Sequence, residues 1–256
     1  METWGDFIGI IQSVEFSGRP FDHKPGFYVT DVEGLNGGGE VSSNPIARTG
    51  GPGALYTPGR REDERTIVIT GFAWADTQGR LKALRDQFTS IMSEGDEFET
   101  FTFRELGEWR HVTVARKGGW PFDRRKRTGQ ARFQMSLRAP DQRIYGDAMK
   151  TTGWGSSVTV TNRGSHPAPV EIAVRGSRAG YTITGPRGAQ VVVTRALAAG
   201  SPHSYDGDEG ILSVAGAAQT TGVTRSDRIE IPRGKHTVSV STPAEILVSG
   251  FDTFIP

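Results

Sequence analysis

Hydrophobic and polar positions alternate with a period of two through Arg132–Ala139, where Phe133, Met135 and Leu137 fall between Arg132, Gln134, Ser136 and Arg138. That alternation predicts a strand with one buried face. Pro140, which has no amide donor, is expected to end it. Upstream, Trp4–Phe16 predicts one strand or two short ones, and Phe27–Val32 another. Arg65–Ala75, RTIVITGFAWA, is apolar on both sides and predicts a central strand. The period then changes to that of a helix. Leu81, Leu84, Phe88, Ile91 and Met92 form one stripe within Thr77–Glu94, with Asp76 or Thr77 as the cap and Gly95 as the stop. Glu97–Phe103, Arg110–Arg116 and Ala131–Ala139 follow as strands, with the hairpin loop GGWPFDRRKRTG between the last two.

Beyond Asp147 the pattern is of short strands only. Ser157–Thr161, Val170–Val174, Tyr181–Thr184, Gln190–Thr194, Ile211–Ala215, Arg228–Ile231, His236–Ser241 and Glu245–Ser249 are separated by Gly, Pro and Asn. Such spacing predicts an antiparallel sandwich. Arg132–Asp147 therefore reads as the last strand of one domain, residues 1–147, and the entry to a second, residues 148–256. One stretch has no period. Gly34–Arg60 is dense in Gly, Pro, Ser and Asn, and reads as a flexible surface loop or as an arm that orders only against a neighbouring subunit.

Composition narrows the function. With 256 residues, two domains are the default. The 34 glycines suit a chain rich in turns. There is no cysteine, which excludes a disulfide framework, a thiolate metal site and a Cys nucleophile. The start, METWGDFIGIIQ, has no basic segment and does not read as a signal peptide. No apolar run approaches the roughly 20 residues of a membrane span. Net charge is +1; residues 1–147 carry 20 basic and 21 acidic side chains, and the rest 10 and 8. Neither half has the basic excess that tight nucleic-acid binding needs.

Each candidate for chemistry has a plainer reading beside it. Ser201, His203 and Asp206 are close in sequence, but a triad is assembled in space and no G-x-S-x-G elbow exists. Asp206-Gly-Asp208-Glu209-Gly210 offers too few oxygen ligands for calcium and reads as a turn between strands. His23, His111, His166, His203 and His236 lack metal-ligand spacing, and GGPGAL at Gly50–Leu55 lacks the strand and helix of a nucleotide site. Arg124-Arg125-Lys126-Arg127 follows Trp120 and Phe122, a mixture that also occurs in single-strand binders. In a domain of net charge −1 it reads better as a charged hairpin tip. Trp120, Phe122, Arg124, Arg125 and Arg127 are therefore the candidate contacts to another subunit or partner. Sugar binding would need an exposed aromatic platform; Trp154, Tyr181, Tyr205, Phe251 and Phe254 are read mostly as core or junction residues. The expectation is no catalytic residue, no cofactor and no metal.

Several stretches together carry a family likeness: FYVTDVEGL, RTIVITGFAWADTQGRLKALRDQF and MSLRAPDQRIYG in the first half, then TVTNRGSHPAPVEIAVRG, YDGDEGILSVAG and RIEIPRGKHTVSVS in the second. In their order and spacing the chain resembles the distal tail protein (Dit) family of long, non-contractile-tailed phages. Gly34–Arg60 matches no family motif. The resemblance implies a mainly β fold: a tail-tube-like β-sandwich with one flanking helix, then a galectin-like antiparallel sandwich. It implies a structural, non-enzymatic homohexamer, a hub ring at the virion tail tip made in the host cytoplasm. Implied partners are the tail tube protein, the tail-tip hub or fibre protein and the tape-measure protein. DNA would pass through the ring without tight binding, and no membrane contact is implied. The alternative is a carbohydrate-binding module that touches the host surface through the C-terminal sandwich. The galectin sugar motif, a His-x-Asn-Pro-Arg strand with nearby Trp and Glu, is missing; Pro167 and Pro169 near Asn162 do not reproduce it.

Overall fold

The structure, a computed structural model, describes residues 11–16, 19–21, 26–35, 41–42, 46–47, 54–55, 61–62, 64–93, 98–125 and 129–255. The chain divides into two compact units, Met1–Ile144 with Pro256, and Tyr145–Ile255. It is mainly β, with one α-helix among the described residues. The expected fold class, strands with one helix first and an antiparallel sandwich second, is the one found.

The first unit is built on β1 (Ile11–Phe16), β2 (Phe27–Glu33), β3 (Arg65–Trp74), α1 (Gln78–Ser90), β4 (Phe98–Glu105), β5 (Glu108–Arg116), β6 (Phe122–Arg124) and β7 (Gln130–Ala139). All pairings are antiparallel, in the order β1, β4, β5, β7, β3, β2. Strands β5 and β7 share only Ala115↔Arg138 and Arg116↔Leu137. Ahead of that join, β6 pairs with Ala131–Phe133 of the same strand. The stretch expected to be a plain hairpin loop thus contains a short strand.

The alternation in β7 is realised. Phe133, Met135 and Leu137 are buried, and the strand ends at Ala139, before Pro140. Strand β3 is central, flanked by β2 and β7. Its two faces differ, however: Ile67, Ile69 and Ala73 are buried, while Phe72 and Trp74 on the other side stay 36% and 43% exposed. The expected central strand is found, with one face in the core and the other partly exposed. Gly71 is required in this strand, because a Cβ there would lie 2.3 Å from the Tyr28 carbonyl oxygen and 2.4 Å from the Phe133 ring.

Helix α1 starts where Thr77 accepts a hydrogen bond from the Arg80 amide at 3.2 Å. It buries Leu81 and Phe88 and stops at Ser90, earlier than the expected Glu94. The cause is local: Ile91 is extended and Met92 takes a φ of 50°, the left-handed geometry that closes helices. Gly95, the expected stop, lies outside the described residues. Phe88 then sits within 5.4–6.3 Å of the rings of Phe133, Phe122, Trp120 and Phe27. Phe21 stacks on Phe27 at 4.7 Å and meets Phe133 edge-on at 5.5 Å. An aromatic cluster, each pair adding to simple burial, is the heart of this unit.

The second unit is a sandwich of two antiparallel sheets. Its strands are β8 (Ser157–Asn162), β9 (Ala168–Arg175), β10 (Tyr181–Thr184), β11 (Gln190–Val193), β12 (His203–Asp206), β13 (Leu212–Val214), β14 (Ala217–Gln219), β15 (Val223–Ser226), β16 (Gly234–Val240) and β17 (Glu245–Phe254). One sheet runs β8, β16, β10, β11, β15. The other runs β17, β9, β12, β13, β14. Between them lie mostly aliphatic side chains, among them Val158, Val160, Ile172, Ile183, Val191, Val238, Ile246 and Val248. Strands β12, β14 and β15 were not expected from the sequence.

Candidate functional site

Among its described residues, the first unit has an open sheet edge. Among the described residues β2 pairs with β3 alone, so seven residues, Phe27–Glu33, present their second side unpaired. Such an edge is a template for another strand. It is irregular at one point. The register slips between Val29 and Asp31, and Thr30 Oγ1 donates to the Thr70 carbonyl at 3.2 Å. The edge ends at Gly34, whose φ of +84° and approach to the Thr66 carbonyl exclude any side chain.

The sheet face beside this edge is partly exposed and mixes aromatic with polar side chains. Tyr28 and Phe72 stack with centroids 4.9 Å apart, and Trp74 lies two residues on. A hollow of about 480 Å³ opens there, lined by Thr30, Thr70, Phe72, Pro121, Asp123 and Arg132 among others. Two of those, Pro121 and Asp123, belong to the segment that carries the sequence-derived contact residues.

Those residues separate into two groups. Trp120 is 7% exposed; its Nε1 donates to the Ser136 carbonyl at 2.9 Å, and the Arg116 guanidinium lies 4.6 Å from its ring. Phe122 is half-buried against Phe88. Both are held within the unit's own packing. Arg124 and Arg125 are exposed. Arg127 lies outside the described residues, as does most of Gly34–Arg60, the stretch read as a surface loop or an inter-subunit arm. Sequence reasoning missed the open edge, because an unpaired strand has the same side-chain pattern as a paired one. It also missed Arg65, which is 3% exposed at the start of β3 and donates through Nη2 to the Gln142 carbonyl at 2.6 Å.

In the second unit the residues considered for chemistry are in structural roles. His203 is buried, with Nδ1 2.9 Å from the Tyr181 hydroxyl. Burial, helped by the Arg195 charge, holds its pKa below the usual imidazole value, against a backbone hydrogen bond at Ala196 that raises it. Burial pushes the Tyr181 phenol up. Asp206 closes a turn: its Oδ1 accepts from the amides of Asp208 and Glu209 at 2.8 and 3.0 Å, as the turn reading expected. Of the aromatic residues weighed for sugar binding, Tyr181 and Tyr205 are core, whereas Trp154 and Phe251 are exposed.

No protein-family profile matches the chain, and no curated protein sequence does. Its fold has counterparts. The chain is similar to the SPP1 Dit (gp 19.1) protein, a paradigm of the hub adsorption apparatus in Gram-positive infecting phages. The TM-score is 0.68 at 16% identity, over 93% of this chain and 98% of that one. The fold is that of a phage distal tail protein. Weaker likenesses are to the phage P2 baseplate in its activated conformation with Ca, TM-score 0.48 at 8% identity, and with Sr, TM-score 0.45 at 9% identity. Each covers 87% of this chain and 90% of the other.

Proposed function

We propose that this chain is a phage distal tail protein, a structural hub that forms a homohexameric ring at the tip of the tail tube. The observation that carries this reading is the likeness to the SPP1 hub protein over 93% of the chain, more than either unit alone contains. Shared architecture over 93% of the chain is more than one common sandwich could supply. The open edge Phe27–Glu33 supports it, since ring closure by strand pairing between neighbouring first units would remove an edge that otherwise invites aggregation. Such a ring joins the tail tube protein on one side to the tail-tip hub or fibre protein on the other. The tape-measure protein and then DNA would occupy its channel. The work is assembly and transmission of force, with no reaction to catalyse.

Negative-stain imaging of the purified chain tests the reading. Closed six-membered rings with a central channel are expected. Particles of single chains at micromolar concentration would overturn it.

A further inference from the structure

The two outward faces of the second unit are unlike. On one sheet the outward positions include Thr159, Thr161, Thr182, Thr184, Thr237 and Ser239, with Gln190, Val192 and Lys235 beside them and no exposed aromatic ring among the described residues. On the other sheet, β17–β9–β12–β13, lie the large apolar side chains left exposed among the described residues of this unit: Trp154 and Ile211 at 38%, Phe251 at 45%. The aromatic rings stand at opposite ends of that face. Trp154 precedes Gly155, which bridges to Ile246, and its indole lies 4.3 Å from the Arg175 guanidinium. Arg175 is in turn tied to its register partner Glu245 at 2.8 Å. Phe251 follows Gly250, the partner of Val170, and its ring meets Tyr145 edge-on at 6.3 Å. Both rings are therefore braced, so that little side-chain freedom remains to be lost on binding.

Between them the face is low and rich in hydroxyls. Alternation along β9 turns Glu171, Ala173 and Arg175 outward, while Val170, Ile172 and Val174 are buried. Ala173 pairs with Ser204, and Ser204 with Ser213. Ser204 Oγ donates to Glu171 Oε1 at 2.5 Å. A hollow of about 340 Å³ lies there, between Glu171, Ser204, Asp206, Ile211 and Ser213. From Pro169 to Arg175 the strand spans about 20 Å, enough for a short oligosaccharide.

The charges on this face are already engaged. Glu171 accepts from Ser204, Asp206 from two amides, Asp208 is paired with Arg228, and Arg175 with Glu245. A polyanion such as nucleic acid would face four carboxylates. A neutral ligand with hydroxyls for the serines and Glu171, and with apolar C–H faces for two aromatic rings, is the complement. We infer that the β17–β9–β12–β13 face of the second unit binds a neutral oligosaccharide, with Trp154 and Phe251 as end platforms and Glu171 with Ser204 as the central polar contact. The inference is independent of ring formation.

Calorimetric titration of the full chain with cellohexaose, maltohexaose, mannohexaose and chitohexaose, and with an anionic heparin hexasaccharide as control, tests it. Saturable binding of at least one neutral hexasaccharide is expected, with none of the anionic one. Trp154→Ala and Phe251→Ala should each weaken it by about tenfold. Thr237→Ala on the opposite sheet should leave it unchanged. Melting curves check that each variant folds; Trp154→Phe, which keeps a ring, replaces Trp154→Ala if that one does not. The proposal is overturned if no neutral hexasaccharide binds at millimolar concentration, if only the anionic one binds, or if folded Trp154 and Phe251 variants bind as well as the native chain. Docking of a protein on this face without glycan binding overturns it equally.

Discussion

The two units stabilise their sheets in different ways. In the first, a cluster of large rings joins aliphatic side chains such as Ile67, Ile69 and Leu137: Phe88 on the helix meets four aromatic neighbours, and Phe133 lies against Phe21, Phe27 and Phe88. In the second, many small contributions from Val and Ile fill the gap between two sheets. The first unit also leaves more unfinished. Among its described residues it has a seven-residue open edge and exposed Phe72, Trp74, Phe98 and Trp109. A core built around an aromatic cluster, beside an open edge and a partly exposed face, suits a part that completes itself against neighbours. A distributed core suits a part that is complete alone and presents a surface.

The sharpest break of this contrast is Phe133→Ala. Removing a ring shared by three aromatic neighbours should cost the first unit about 3–5 kcal/mol. Hydrogen exchange read by mass spectrometry should show faster exchange in β3 and β7 and no change in β8 and β16. Equal acceleration in the second unit would show that the two cores are not separate.

A smaller effect distinguishes the units by pH. His203 has a depressed pKa in the folded second unit, so the unfolded chain binds more protons. The stability it contributes is complete above the unfolded value of about 6.5, and is lost as pH falls through that value towards the folded one. Protection of β10 and β12 should therefore decline between pH 7 and 5 (about the range of imidazole titration). His203→Gln should flatten the decline. His111 in the first unit is shifted the same way by burial, so the site-resolved measurement, rather than a global melt, is the informative one.

The smallest effect on stability belongs to Arg124→Ala with Arg125→Ala. Both residues are exposed, and the change should stay within about 0.5 kcal/mol. Its effect should instead be on assembly, seen as a higher concentration needed for ring formation. A large loss of stability with normal assembly would place these arginines in the fold rather than at a contact.

How much of this was legible follows from the same contrast. Strand β7 could be read from Phe133, Met135 and Leu137 because its two faces differ in polarity, and α1 from the Leu81–Phe88 stripe. Strand β12, His-Ser-Tyr-Asp, could not. Its buried residues carry polar atoms, and they are tolerated inside only because Tyr181 meets His203 and because Ser226 and the Asp227 carbonyl meet the Tyr205 hydroxyl. Such partners are distant in sequence. The candidate contacts divided for a related reason. Trp120 and Phe122 have the composition of a contact, but a ring counts as exposed or buried only once its neighbours are placed, and Phe88 was theirs. Conversely, Trp154 and Phe251 read as core or junction residues until the sheet direction put them outside.

The central claim, that the first unit's open edge closes a ring of six, is tested most directly by native mass spectrometry of the full chain at micromolar concentration. The account predicts a dominant species of six chains. A dominant single chain, or a mixture of open chains of increasing length, would contradict it.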